Sequence, residues 1–117
     1  MANIDLLTDP ELNLVARAGE LGEELREYIK DTGLRCIGEV RGYGLMIGIE
    51  LVADRRTKEP LPGDKVIGAV MGMLNRGIAL FPCGRFGNVF RLMPPLVLPK
   101  EYAYRAVDTM IDVLKKI

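Results

Sequence analysis

One arginine stands inside a run of residues that otherwise has the apolar content of a buried strand. Residues 87–98 read GNVFRLMPPLVL, with Arg91 in the middle of the run and a Pro-Pro pair just after it. A buried guanidinium keeps its charge, and leaving it unpaired costs several kcal/mol, so Arg91 needs an anionic or carbonyl partner. Because the planar fork of arginine matches a carboxylate with two hydrogen bonds, the run predicts a position that binds a carboxylate.

Two kinds of carboxylate could pair with this arginine. Glu50 or Glu39, each on a predicted neighbouring strand, could form a static ion pair with Arg91 that serves only the fold. A bound ligand could instead supply the carboxylate. Pro94 and Pro95 cannot donate hydrogen bonds to a sheet, so the strand ends there in a rigid extended segment that suits the rim of a site. The residues alone leave both possibilities open.

Composition excludes several other kinds of chemistry. The 117 residues include no histidine, which rules out Ser-His-Asp and Cys-His nucleophiles and His-based metal sites within this chain. Sixteen basic residues balance sixteen acidic ones, so neither nucleic acid nor an anionic membrane is an expected partner. Cys36 and Cys83 are far apart and form no C-x-x-C pair, which favours a reduced, cytoplasmic setting. No segment approaches the roughly 18 apolar residues of a membrane span.

Three segments have apolar residues at helical spacing, at about residues 10–32, from about residue 64 up to Gly77, and at about residues 100–116. The first helix has two possible starts. Thr8 with Glu11 matches a capping box, whereas Asp9 could cap a helix with Pro10 at its first position. The sequence therefore predicts three helices and leaves the start of the first one open.

Four short apolar runs predict strands at residues 36–41, 44–52, 78–81 and 88–93. The first two are rich in β-branched residues and are joined by a glycine-containing turn. Alternation places Val89, Arg91 and Met93 on one face of the last strand and Phe90 and Leu92 on the other. The element order α-β-β-α-β-β-α predicts an α+β fold. We expect one domain over residues 1–117, with a small, mainly antiparallel sheet that helices cover chiefly on one face.

Four stretches together resemble the C-terminal small domain of class III aminotransferases, which are pyridoxal-phosphate (PLP) enzymes of fold type I. They read ARAGELGEEL at residues 16–25, VRGYGLMIGIEL at 40–51, NRGI at 75–78 and NVFRLMPPLV at 88–97. They occur in the family's order and spacing and span nearly the whole chain. The second stretch followed by N-V-x-R-x-x-P-P-L is the specific part of the resemblance.

The resemblance implies a role for Arg91. In that family the arginine of the R-x-x-P-P-L segment looks into the active site and commonly binds the substrate carboxylate. The implied reaction moves an amino group between an amino acid or amine donor and a 2-oxo acid, and this domain would close the site. We expect Tyr43, Arg41 and Arg85 at the rim of the same site, and we assign no catalytic, cofactor-binding or metal-binding residue within the chain.

The resemblance also places PLP outside this chain. The family's Schiff-base lysine, the aspartate that binds the pyridinium nitrogen and the phosphate-binding loop belong to the large domain, and no segment here resembles them. We therefore expect the large PLP-binding domain as partner, a homodimer of the complete enzyme, and neither bound PLP nor activity for this chain alone. The alternatives are a stand-alone module that binds a small carboxylate without catalysis, or an interaction domain in which Arg91 pairs with Glu50.

Overall fold

Four helices and five strands make up the computed structural model, which describes residues 1–117. In chain order they are α1 Ala2–Thr8, α2 Leu14–Asp31, β1 Ile37–Tyr43, β2 Met46–Asp54, β3 Glu59–Pro60, α3 Gly63–Leu74, β4 Pro82–Cys83, β5 Val89–Leu92 and α4 Lys100–Leu114. This order confirms the predicted α+β class and adds the short elements α1 and β3. None of the four helices is both long and apolar enough to cross a lipid bilayer.

The strands form one antiparallel sheet in the order β1-β2-β5-β4, and β3 pairs with the end of β2. Strands β1 and β2 are a hairpin in which Tyr43 faces Met46 across a two-residue turn. Gly44 in that turn has φ of +53°, a conformation that glycine adopts without steric cost. The predicted glycine turn between the first two strands is therefore confirmed.

Helices α2, α3 and α4 pack on one face of the sheet, which we call the inner face. The core between them contains side chains from every layer, among them Leu25, Ile29, Ile47, Ile49, Val66, Met73, Phe90, Val107 and Met110. Because successive strand residues point to opposite faces, Glu39, Arg41, Gly48, Glu50 and Arg91 lie on the other face, which we call the outer face. No helix packs on this outer face.

The start of the first long helix differs from both predicted starts. Residues 2–8 form the separate helix α1, and α2 begins only at Leu14. Between them the carboxylate of Asp9 accepts hydrogen bonds from the backbone N–H groups of Glu11 at 2.8 Å and Leu12 at 3.4 Å. These are the bonds of a helix N-cap, and they hold one turn at residues 10–12. Asn13, with φ of +49° and ψ of +42°, is in the left-handed conformation, which ends this turn and makes α2 start at Leu14.

The predicted strand at residues 78–81 does not pair with the sheet. Only Pro82 and Cys83 pair, opposite Phe90 and Val89 of β5. Pro82 has no N–H to donate, and Gly84, with φ of +87°, ends the strand on its other side. The apolar residues before β4 therefore remain an irregular segment, in which Leu80 is buried and Phe81 is 78% exposed.

Candidate functional site

Two arginines flank a glycine in one row across the outer face of the sheet. Arg41 of β1 lies opposite Gly48 of β2, and Gly48 lies opposite Arg91 of β5. Neighbouring strands are about 4.8 Å apart, so the backbones of the two arginines are about 10 Å apart. Because glycine has no side chain, no side chain of β2 fills the space between the two arginine side chains.

A cavity of about 610 Å³ lies beside the β1–β2 hairpin, and we call it the hairpin cavity. Arg41, Tyr43 and Arg91, three of the four predicted site residues, all line it. Arg26 and Lys30 of α2 line it as well, so its wall carries four cationic side chains and no carboxylate. Arg41 and Lys30 pair with glutamates outside this wall, whereas Arg91 has no carboxylate partner and remains available to an anionic ligand.

Arg85 does not line the hairpin cavity. Its guanidinium lies 5.5 Å from the centre of the Phe86 ring, in the exposed loop between β4 and β5. This is a cation–π contact, which explains the position of the side chain without a ligand. The structure therefore separates Arg85 from the other three predicted site residues.

Arg41 binds two carboxylates on the outer face. Its Nη1 donates to Oε2 of Glu39 at 2.7 Å and to Oε2 of Glu50 at 3.0 Å. The pKa of Arg41 is raised above its ordinary value, first by the hydrogen bond to Glu50 and then by the nearby negative charges. The Glu50 side chain is 26% exposed and that of Glu39 is 55% exposed, so Glu50 is the more sheltered partner of Arg41.

Arg91 is exposed and takes part in none of the six ion pairs of the chain. The expectation that this arginine is buried is wrong, because β5 has helices over only one face and Arg91 lies on the open one. Neither of the static ion pairs considered from the sequence forms, because Glu39 and Glu50 both bind Arg41 instead.

Arg17 of α2 holds the segment that follows Arg91. Its Nη1 donates to the backbone carbonyl of Leu96 and its Nη2 to that of Leu98. This fork fixes the turn that follows the Pro-Pro pair to α2. Sequence reasoning missed this contact, although one signal was present: Arg17 follows the buried Leu14 by three residues and precedes the buried Leu21 by four, so it interrupts the apolar stripe of the helix.

The lysines of this chain do not fit a Schiff-base role with PLP. All six are exposed, as the sequence predicted. An amine must be neutral to attack a carbonyl, and a lysine that forms a Schiff base is activated by a desolvated site, which none of these six side chains has. The hydrogen bond of Lys100 to Glu24 at 2.8 Å raises the pKa of Lys100, which favours its charged form.

Comparison with protein families identifies the class of protein that this fold and site define. The family model Aminotransferase class-III matches residues 1–114, so the chain belongs to this family. It is 38% identical over 107 residues to the alanine/serine racemase of Pyrococcus horikoshii, a match that covers 90% of this chain and 22% of the racemase. It is 43% identical over 99 residues to the mitochondrial alanine–glyoxylate aminotransferase 2 homolog 2 of Arabidopsis thaliana, covering 83% of this chain and 20% of that protein.

Solved structures agree with this assignment. An aminotransferase of Bacillus anthracis superposes with a TM-score of 0.89 at 30% identity, over 99% of this chain and 27% of the other. An amine transaminase from an uncultivated Pseudomonas species, solved in its PLP-bound form, superposes with a TM-score of 0.82 at 28% identity, over 98% of this chain and 26% of the other. The chain thus spans about a quarter of the length of these structures and about a fifth of the curated relatives.

Proposed function

We propose that this chain is the C-terminal small domain of a PLP-dependent class III aminotransferase, in which Arg91 binds the carboxylate of the substrate. The enzyme would transfer an amino group between an amino acid or amine donor and a 2-oxo acid. The observation that carries the proposal is that Arg91 has no ion-pair partner while it lines a cavity with three other cationic residues.

The position of Arg91 suits the recognition of a carboxylate. Its backbone is paired with β2 through Gly48, and Arg17 holds the chain that follows, so the guanidinium projects from a fixed support. Its N–H groups are free for two parallel hydrogen bonds to one carboxylate. A charge-assisted bond of this kind contributes about 2 kcal/mol, which corresponds to roughly 30-fold in affinity.

The remaining parts of the proposal concern the complete enzyme. A large domain outside these residues would hold PLP, which supplies the electron sink for the reaction. Residues 1–117 would act as one domain that orients the substrate, and orientation alone can contribute several kcal/mol to lowering the barrier. We also propose a homodimer in the cytoplasm; two free cysteines, Cys36 and Cys83, are compatible with that reducing compartment.

The first test is the size of the native polypeptide, measured by immunoblot of source-cell extract with an antibody against this chain. The proposal predicts a band several times larger than 13.0 kDa, because the relatives are four to five times longer than their matched part. A band at 13.0 kDa would leave no room for the PLP-binding domain and would contradict the proposal.

The second test is the variant Arg91→Gln in the native, PLP-loaded polypeptide. We expect KM for the 2-oxo acid to rise roughly 30-fold, because the bidentate bond to the carboxylate is lost. KM for an amine donor without a carboxylate should change less than about threefold. Arg85→Gln is the matched control, since it removes the same charge outside the hairpin cavity. An Arg91→Gln enzyme that keeps the native KM for the 2-oxo acid would refute the assignment.

A further inference from the structure

The ion pairs of Arg41 explain why Arg91 is free. We infer that Arg41 is a positioning residue: it binds the carboxylate of Glu50 and thereby keeps Glu50 from occupying Arg91. This inference rests on the proposed function, because it concerns the availability of Arg91 for a substrate carboxylate. It assigns a role to Arg41 that differs from the predicted place at the rim of the site.

Glu50 lies between the two arginines on the outer face. On β1 it faces Glu39, and Arg41 stands two residues beyond Glu39 on the same face. On β5 it faces Val89, and Arg91 stands two residues beyond Val89 on the same face. Both arginines are therefore diagonal neighbours of Glu50, at a spacing that long side chains can bridge. In the structure Glu50 binds Arg41.

Glu39 explains why Glu50 binds Arg41 and not Arg91. Two like charges directly opposite each other on neighbouring strands are destabilising, and Glu39 and Glu50 form such a pair. Arg41 neutralises both, since one of its nitrogens contacts an oxygen of each. Arg91 cannot serve both carboxylates in this way, because β2 separates β5 from β1 and its Glu39. For this reason Glu50 pairs with the arginine on β1, which is Arg41.

The other cations near the hairpin cavity are engaged elsewhere. Arg26 donates to the carbonyl of Gly44 at 2.9 Å, and Lys30 lies 3.7 Å from the carboxylate of Glu27. If Arg41 lost its charge, Arg91 would be the nearest cation on the outer face with no carboxylate partner of its own. The Glu50 carboxylate would then turn to Arg91 and compete with the substrate.

The size of this competition follows from the strength of exposed ion pairs. A pair of this kind is favoured over its open form by up to about fivefold. An intramolecular competitor weakens the apparent affinity of a ligand by the fraction of sites that it occupies. We therefore expect Arg41→Gln to raise KM for the 2-oxo acid about fivefold, with little change in kcat.

The test is a double-mutant cycle in the PLP-loaded native polypeptide. Arg41→Gln, Glu50→Gln and the double variant are compared with the unmodified enzyme. The inference predicts that Glu50→Gln, added to Arg41→Gln, restores KM to within about twofold, because the competing carboxylate is gone. Arg41→Lys, which keeps the charge, should stay near the native KM. A purely structural role predicts that Glu39→Gln restores the Arg41→Gln enzyme as well as Glu50→Gln does, since either substitution relieves the repulsion between the two glutamates.

Glu39→Gln added to Arg41→Gln is the matched control, and it should not restore KM because Glu39 cannot reach Arg91 across β2. A crystal structure of the Arg41→Gln enzyme without substrate gives a direct readout. In it the Glu50 carboxylate should lie within about 4 Å of the Arg91 guanidinium, the usual limit for an ion pair.

The outcomes separate the inference from the proposed function. If Arg91→Gln leaves KM for the 2-oxo acid unchanged, the proposed function is wrong and the inference falls with it. If Arg91→Gln raises KM but Glu50→Gln fails to restore the Arg41→Gln enzyme, the role of Arg91 stands and the inference about Arg41 is overturned.

Discussion

The tightest backbone contact around the β1–β2 hairpin predicts opposite effects for two Gly→Ala substitutions in one helix. Gly22 of α2 packs directly against the turn at Gly44, and a Cβ built on Gly22 would lie 1.9 Å from the carbonyl oxygen of Gly44 and 2.4 Å from its carbonyl carbon. Gly19, one turn earlier on the same helix, has nothing within 4 Å of such a Cβ. Both substitutions add the same methyl group to the interior of α2.

The magnitudes follow from this geometry. In Gly22→Ala the backbone of the turn must move by about 1.5 Å to reach ordinary contact, and overpacking of this severity costs about 3 kcal/mol. The better helix propensity of alanine offsets about 1 kcal/mol of that cost, which leaves a net loss of about 2 kcal/mol. Gly19→Ala has only the propensity gain. At about 4 °C per kcal/mol, Tm should fall by about 8 °C in Gly22→Ala and rise by about 4 °C in Gly19→Ala.

Thermal unfolding of this chain, followed by circular dichroism, measures both shifts under the same conditions. The comparison is internal, because residual structure in the unfolded chain affects the two neighbouring positions alike. If Gly22→Ala were as stable as Gly19→Ala, the close packing of α2 against the hairpin turn would be refuted. The support that we describe for the hairpin cavity would fail with it.

Two further predictions concern α2. Arg17→Gln should lower the free energy of unfolding by about 2 kcal/mol, because it leaves two backbone carbonyls before α4 without their charged donor; an unchanged urea midpoint would contradict this. Tyr28 donates a hydrogen bond to Asp108 at 2.6 Å, and this bond raises the pKa of Tyr28. The stabilising effect of the bond is therefore complete below about pH 10, the ordinary tyrosine pKa, and is lost as pH rises through the raised pKa. Tyr28→Phe should therefore flatten the loss of stability above pH 10, and an unaltered pH profile would argue against the bond.

Strand alternation was the most reliable guide to the fold. The sequence placed Phe90 and Leu92 on one face of β5 and Arg91 on the other, and the structure confirms that Phe90 is fully buried while Arg91 is exposed. The alternation of side chains along a strand depends only on strand geometry, so it can be predicted without knowledge of the tertiary structure. Which face is covered depends on where the helices pack, and for this reason the expected burial of Arg91 was wrong.

Competing local signals account for the misplaced elements. Near residue 9 the sequence offered two helix starts. The Asp9 carboxylate accepts hydrogen bonds from the following backbone N–H groups and caps one turn, but the left-handed conformation of Asn13 separates this turn from α2. The run at residues 78–81 has the composition of a strand, but pairing also needs a partner and a register. β5 has only four residues, and Pro82 and Gly84 confine its contact on that side to two of them.

The sequence named three residues that line the hairpin cavity but not their ion pairs, and it also named Arg85, which lies elsewhere. Arg41, Tyr43 and Arg91 were all named from the sequence, and all three line the hairpin cavity. Which arginine takes the Glu50 carboxylate could not be read from the pattern, since both are diagonal neighbours of Glu50. The answer depends on Glu39 lying across from Glu50, which is a matter of strand register and of the β-bulge between Ile37 and Glu39.

A crystal structure of the native, PLP-loaded polypeptide with a bound 2-oxo acid or a carboxylate-bearing substrate analogue tests the central claim most directly. The account predicts two parallel hydrogen bonds of about 2.8 Å from the Arg91 guanidinium to the ligand carboxylate, with Glu50 still paired to Arg41. A carboxylate held by other residues, with Arg91 pointing into solvent, would contradict it.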